Sequence, residues 1–364
     1  MTSTPHSTRA ALAAAAVVGL LATACTGSST PSPTTPAATP APSSSVPSRS
    51  GPAPSKPPKH HAKPAPKPKG NPVDPLTGLH DHPHLPVVSV KIDDTAPGRP
   101  QVNIDEADIV YVEQVEGGLT RLLAIFGSKH PYHVGYVRST RPSDPDLLLQ
   151  FGKITAAYSG GAHDSLPRMY RSGLKSWSND AGAPYYSRVS RAASSYINLD
   201  LNINAVAKHV HTPRAHSIGM KWSKKPPSAG HSGKSVQVLV GGTLVDFRWR
   251  PKLHEYVRYI GGVAQRESDG KYVATPNVVV QKCRIVPHPQ DTDVLGNPSQ
   301  FTHTTGHGKV AVFRGGKRFD GKWSRKKVTD GTTLKLASNG KPLSLHPGGA
   351  WFVLAPRKSH INSH

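Results

Sequence analysis

Three glycine pairs, Gly117-Gly118, Gly241-Gly242 and Gly315-Gly316, each stand between two runs of strand composition. Glycine reaches the positive φ values that tight hairpin turns demand, and the flanking apolar residues alternate as half-buried strands do. Residues 108–115 with 119–126 are therefore one expected hairpin, 236–240 with 243–249 a second, and 309–314 with 317–323 a third. A strand at 255–260, after Arg250-Pro251-Lys252, extends the second hairpin into a meander, and further strands are expected at 277–286, 333–336 and 351–354. The stretch before this is mixed. Strands are expected at 87–92, 133–138 and 154–158, alternating with a helix behind a Ser143-Asp-Pro-Asp146 capping box and a short one capped by Asp164. The expected class is α+β: a mixed α/β domain at 73–225 followed by a β-rich domain at 226–364, with no fixed-period repeat.

Residues 1–72 cannot join either core. An apolar run at 11–21 follows a weakly basic start (His6, Arg9) and is too short to span a bilayer. It leads to Ala22-Thr23-Ala24-Cys25, so 1–24 reads as a bacterial lipoprotein signal with Cys25 as the lipidated residue. Ala22 stands where a large aliphatic is commonest, and the alternative is ordinary secretion after an A-x-A cleavage site. Residues 25–72 are Ser, Thr, Pro and Ala, turning to Lys, His and Pro from Lys56, with too few apolar side chains to offset the entropy of ordering. They read as a stalk of at most roughly 145 Å if extended as polyproline II. With Cys25 lipidated, Cys283 has no partner for a disulfide. Its apolar surroundings describe a small buried side chain better than a nucleophile.

Charge is divided unevenly. Residues 73–150 hold eleven acids and six bases, whereas 151–364 hold eleven acids and thirty-two bases, within a formal net charge of +23. Long-range attraction to anionic material follows from such a field. For an exported chain the partners are the membrane, through its lipid, and an anionic envelope polymer or lipid headgroups. The basic tracts lack a recognition-helix pattern, zinc-finger spacing or an aromatic RNA-binding motif, so no specific nucleic acid is implied.

The densest polar constellation is Glu113, Glu116, Arg121, Arg138, Ser139, Thr140 and Arg141. Across the Gly117-Gly118 turn, Glu116 and Arg121 could pair and pin the hairpin. Arg138 and Arg141, with Ser139 beside a helix start, supply forked donors suited to phosphate or carboxylate, although arginines paired to the nearby acids would read the same. Tyr158-Ser-Gly160-Gly161-Ala-His163-Asp164 adds a strand end with a glycine pair, a common place for a ligand to approach backbone amides. It matches neither a dinucleotide fingerprint nor a nucleophile elbow. His163 and Asp164 could act as base and orienter, or His163 could be an ordinary turn residue. The histidines at 80–84, 130, 133, 209, 211, 303 and 307 lack metal-site spacing, and neither a metal nor a cofactor is implied.

Several of these segments recur together elsewhere. Pro75-Leu-Thr-Gly-Leu79, Arg99-Pro-Gln101, Glu106-Ala-Asp-Ile-Val-Tyr111, Val115-Glu-Gly-Gly-Leu-Thr-Arg121, Gly135-Tyr-Val-Arg-Ser-Thr-Arg-Pro142 and Gly160-Gly161 resemble the YerB-like bacterial lipoproteins. Asn277-Val-Val-Val280, Gly306-His-Gly308, Gly321-Lys-Trp323 and Leu345-His-Pro-Gly-Gly-Ala-Trp351 are similar to that family's second domain. The resemblance implies a lipid-anchored, two-part mixed fold and supplies no reaction. Where relatives carry Arg-x-Ala-Pro-His-Asn, this chain has Arg191-Ala-Ala-Ser-Ser-Tyr-Ile-Asn198, without the proline and histidine.

The function expected from these features is a non-catalytic, extracytoplasmic binder on the outer face of the cell membrane. An anionic ligand would sit near Glu116, Arg121, Arg138, Ser139, Arg141, Gly160, Gly161 and His163, and the basic second domain would meet an acidic polymer. One alternative is an envelope hydrolase or transferase using Glu116, His163 or Asp164. Another is a protein-binding scaffold. No oligomeric state is implied.

Overall fold

The computed structural model describes residues 73–80, 85–228 and 230–364. The leader, Cys25, the stalk and part of the histidine cluster at 80–84 lie outside the described residues. In chain order the first half contains β1 (Val88–Asp93), β2 (Ile109–Gln114), β3 (Thr120–Phe126), β4 (Val134–Gly135), helix α1 (Asp144–Leu148), β5 (Thr155–Tyr158), α2 (Ser165–Arg171), β6 (Lys175–Ser178), β7 (Tyr186–Arg188), β8 (Leu199–Leu201) and α3 (Ile203–His209). The second half is strand: β9 (His231–Ser232), β10 (Ser235–Val240), β11 (Thr243–Arg250), β12 (Glu255–Ile260), β13 (Val263–Ala264), β14 (Ala274–Thr275), β15 (Asn277–Thr292), β16 (Pro298–His303), β17 (Gly306–Arg314), β18 (Lys317–Arg325), β19 (Thr333–Leu336), β20 (Ala350–Pro356) and β21 (Ile361–Ser363). This is an α+β fold, mixed in its first half and largely antiparallel β in its second.

All three glycine-pair hairpins form, as β2–β3, β10–β11 and β17–β18. They are not confined to separate sheets. One twelve-stranded sheet runs β19-β18-β17-β15-β20-β2-β3-β1-β5-β6, with β16 and β9 pairing β15 and β18. The two halves meet within it through a parallel pairing of β2 with β20, Ile109 opposite Ala350 to Val112 opposite Val353. A six-stranded sheet, β13-β12-β11-β10-β21 with β14 beside β12, packs on one face. A short sheet, β4-β8-β7, completes the strands.

Strand alternation divides the core between the two faces of the large sheet. Val90, Ile92, Val110, Val112 and Leu122 point towards the second sheet with Val238, Phe247 and Trp351. Ile109, Tyr111, Leu123 and Ile125 point the other way, onto Leu147, Leu148 and Phe151 of the α1 region. Burial on both faces explains why these strands read as continuous apolar runs. The same alternation places Lys91 and Glu113 on the helix side, where both are sealed. Lys91 Nζ bonds Glu113 and lies 2.7 Å from Asp144 Oδ1 at the start of α1.

Four local expectations are corrected. The 133–138 segment forms only the short β4, because the next residues change partner: Val137 N–H donates to Leu199 O and Arg138 N–H to Lys91 O. Ser143 does not cap α1, since its hydroxyl instead accepts from Thr302 N–H at 2.7 Å. Asp164 does not cap α2, as its carboxylate meets His288 Nε2 at 2.8 Å. β15 runs on to Thr292 through Pro287 and Pro289, because from Arg284 its register partner is β16 alone and one-sided pairing tolerates proline.

Candidate functional site

Three arginines converge at one end of the first half. Arg121 is the second residue of β3, while Arg138 and Arg141 stand on the segment between β4 and α1. The Gly117-Gly118 turn brings Glu116 to the same place. Arg121, Arg138, Arg141, Glu116, Asp93 and Thr95 line a cavity of about 280 Å³, whose far wall is the loop between β15 and β16 (Asp293, Val294, Leu295, Asn297).

The charges are not evenly matched. Glu116 pairs with Arg141, not with Arg121 as the turn geometry suggested. Arg141 Nε and Nη2 donate to Glu116 Oε2 at 2.9 and 2.5 Å, and Ser299 Oγ donates to Oε1. Burial opposes ionisation of Glu116, but the charge and hydrogen bonds of Arg141 outweigh it and hold the carboxyl below its ordinary range. Glu116 is thus a fixed carboxylate, without a proton to give at neutral pH. Arg138 Nε lies 3.1 Å from Asp93 Oδ2, and the side chain is one-third exposed.

Arg121 differs from both. It is 9 % exposed, and its Nη1 donates to the Ser139 carbonyl at 3.1 Å. Among the described residues no carboxylate comes within 4.0 Å of its guanidinium. Burial, and then the neighbouring charges of Arg141 and Arg138, push it down to about 9. The cause is a buried cation beside like charges, with no carboxylate in ion-pair contact.

The remaining expected site residues divide between two places. Ser139 contributes its carbonyl, which also lies 3.4 Å from Arg141 Nη1. Gly160 binds the arginine segment through its backbone, accepting from Thr140 N–H at 3.0 Å. Its φ of +70° is one that side chains rarely adopt, and a Cβ there would come within 2.5 Å of Asp180 Oδ2, which would have to shift. Gly161 and His163 line a neighbouring cavity of about 550 Å³ with Leu166, Tyr170 and Val294. Asp293 and Val294 line both cavities, so the 292–297 loop stands between His163 and the arginines. His163 is exposed, and Asp164 is engaged by His288 and, at 3.7 Å, by Arg171. His163 and Asp164 therefore do not form a base-and-orienter pair.

Sequence reasoning missed Asp93, Thr95 and the β15–β16 loop. Asp93 reads as the end of a core strand. The loop carries a local signal for a turn only: Asp293 Oδ1 accepts from Leu295 and Asn297 N–H, each at 2.9 Å. Nothing local ties it to residues more than a hundred positions earlier.

The sequence profile described as "Protein of unknown function (DUF3048) N-terminal domain" matches residues 76–215, and that of the corresponding C-terminal domain matches 235–352. The chain belongs to the DUF3048 family. Another protein that it resembles is the one named "Putative lipoprotein YerB" from Bacillus subtilis, 25 % identical over 302 residues, which cover 78 % of this chain and 86 % of that one. The crystal structure of YerB from Bacillus subtilis is similar in fold, with a TM-score of 0.67 at 22 % identity, covering 79 % of this chain and 99 % of that one. The arginine cavity lies wholly within the two DUF3048 matches, between Asp93 and Asn297.

Proposed function

We propose that this DUF3048 protein is a lipid-anchored, extracytoplasmic binder of an anionic ligand, and that the ligand's phosphate or carboxylate sits in the arginine cavity. The anchoring rests on the sequence around Cys25 and on a relative that is named as a lipoprotein. The binding rests on one observation: Arg121 is buried beside two further guanidiniums with no carboxylate of its own. An uncompensated buried cation costs stability, and an arriving anion would remove that cost while accepting forked hydrogen bonds. Glu116 and Asp93 then act by orienting Arg141 and Arg138 instead of neutralising the whole cluster.

Calorimetry with inorganic phosphate as the probe tests this reading. The wild-type protein should bind phosphate, with affinity falling as salt is raised, and Arg121→Met should reduce binding by at least about tenfold, the loss expected for a charge-assisted contact. Equal binding by the two proteins would exclude the cavity as the anion site.

A further inference from the structure

Away from the arginine cavity, four lysines fall in register across four neighbouring strands. Lys335 of β19 is paired with Lys322 of β18, and Lys322 is paired with Lys309 of β17. Gln281 of β15 faces Val310, so the next residues along these two strands, Lys282 and Lys309, are neighbours. Cross-strand partners share a face of the sheet. Adjacent strands are about 4.8 Å apart, so the row crosses roughly 14 Å of sheet. Its inner end is recessed: Lys282 is 8 % exposed and lines a cavity of about 330 Å³ with Lys309, His307, Gly308 and Arg357.

Like charges directly opposite one another destabilise a sheet. Among the described residues no carboxylate comes within 4.0 Å of any of the four amines, although Asp320 lines a cavity with Lys282 and Lys309. The lysines that find carboxylates lie elsewhere, at Lys91, Lys129 and Lys271. The nearest acid along β18, Asp320, is engaged by Arg318 at 2.8 Å. Lys282 Nζ reaches only Ser359, through its carbonyl and, at 2.8 Å, its hydroxyl; burial, followed by the charge of Arg318, pulls its amine down to about 8. Protection of an open sheet edge by lysine would explain Lys335 on the outermost strand, but not a row that continues three strands inward.

We propose that this row is a binding track for a linear phosphodiester polymer without bases, lying across the strands from Lys335 to Lys309 and ending in the cavity beside Lys282 and Arg357. The partner's chemistry follows from the residues. A row of point charges one strand apart fits repeated anionic groups. The positions flanking the row on these strands (exposed His307 and Ser324, half-buried Thr333) carry no Phe, Tyr or Trp for stacking, so a single-stranded nucleic acid would gain nothing from its bases. A flat headgroup surface would meet Lys309, Lys322 and Lys335 but could not enter the recess at Lys282. The proposal rests on the reading of this protein as a binder of anionic envelope material, and not on the arginine cavity.

Long-chain inorganic polyphosphate, which is linear and base-free, is the probe. With the full chain, Lys309→Gln/Lys322→Gln/Lys335→Gln should weaken polyphosphate binding by about tenfold or more and lower the log–log salt slope by roughly 2 to 3, one condensed counterion for each lost contact. Lys221→Gln/Lys224→Gln/Lys225→Gln removes the same charge elsewhere and should leave binding within about twofold. In an Arg121→Met background the row substitutions should still lower the salt slope by roughly 2 to 3, while the row variant alone should keep its inorganic phosphate binding, so the two sites fail separately. Equal losses in both lysine variants would reduce the effect to net charge and overturn the track. So would loss of binding to phosphatidylglycerol vesicles with polyphosphate binding retained, or tighter binding of a single-stranded oligonucleotide than of polyphosphate at equal charge.

Discussion

Arg258 of β12 grips Asp94, just beyond β1, with both terminal nitrogens at 2.7 Å, and neither side chain is exposed to solvent. The pair joins the second sheet to the large one across 164 residues of sequence, and the guanidinium also lies over Trp351, 5.4 Å from its ring centroid. Burial opposes the charge on Asp94, but Arg258 outweighs it and the carboxyl is held low. Removing Arg258 leaves the buried carboxylate of Asp94 with only Arg99, at 3.3 Å, and the Thr120 hydroxyl, and removing Asp94 strands Arg258 as a buried charge. Arg258→Ala should therefore cost about 3–5 kcal/mol, whereas Asp94→Leu/Arg258→Met should recover most of that loss. Urea denaturation of the single and double variants measures both, and a single-variant cost below about 1 kcal/mol would show the pair to be dispensable.

Arg121 should behave in the opposite way. Most truncations of buried side chains destabilise, but this guanidinium is buried without a carboxylate in ion-pair contact, and burial with the like charges of Arg141 and Arg138 outweighs the attraction of Glu116 and Asp93. Arg121→Met should raise the stability of the ligand-free protein by about 1–2 kcal/mol. A fall in melting temperature would mean that the charge has a structural partner, and the cavity would lose its main support.

Asp108 gives a pH signature. Its carboxyl is buried, accepts from Gly127 and Ser128 N–H at 2.6 and 2.9 Å, and also bonds the Ser128 hydroxyl. Burial, with the nearby Asp74, raises it to about 7. Below the unfolded value near 3.9 both states are protonated and this group's stabilising term is fully present. Between there and about 7 the folded state holds the extra proton, so the term is lost as pH rises. Buried Glu113 and Glu267 are also raised and slope the same way. Asp108→Asn keeps an acceptor for the two amides and a donor for Ser128, and should flatten the fall in stability between pH 5 and 7, by roughly 1–3 kcal/mol. An unchanged slope in melting temperature against pH would assign the dependence to the other carboxyls.

The first hairpin turn separates two glycines by what surrounds them. Gly117 and Gly118 have φ of +61° and +73°. A Cβ on Gly117 would meet nothing within 4 Å, whereas one on Gly118 would lie 2.9 Å from Gly242 N, which donates to Gly118 O at 2.8 Å. Gly117→Asn should cost under about 1 kcal/mol, because asparagine tolerates this region of φ. Gly118→Ala should cost about 1–3 kcal/mol, since strain and collision coincide. Thermal melts of the two variants provide the comparison, and equal costs would mean that the two hairpin turns do not need each other.

How much of this was legible depends on distance along the chain. The Gly117, Gly241 and Gly315 hairpins could be read because turn chemistry and strand alternation are local, and the buried Cys283 followed from its apolar neighbours. The pairing of Glu116 with Arg141 could not. Both Arg121 and Arg141 were within reach by sequence, and the choice was made by Ser299 and the backbone path of 138–141, which no pattern encodes. The lysine row was invisible for a related reason: Lys282, Lys309, Lys322 and Lys335 are spaced irregularly, and strand register alone aligns them.

The β2–β20 pairing has a consequence for synthesis. A polypeptide made from its amino end presents Ile109–Gln114 long before Ala350–Pro356 exists, so the inner strand of the finished sheet must wait as an unpaired flank. Everything between is made first, and the last strands to emerge close the seam. Loss of Ala350–Pro356 would therefore injure the first half of the molecule as much as the second, leaving a sticky border where the two should be stitched together.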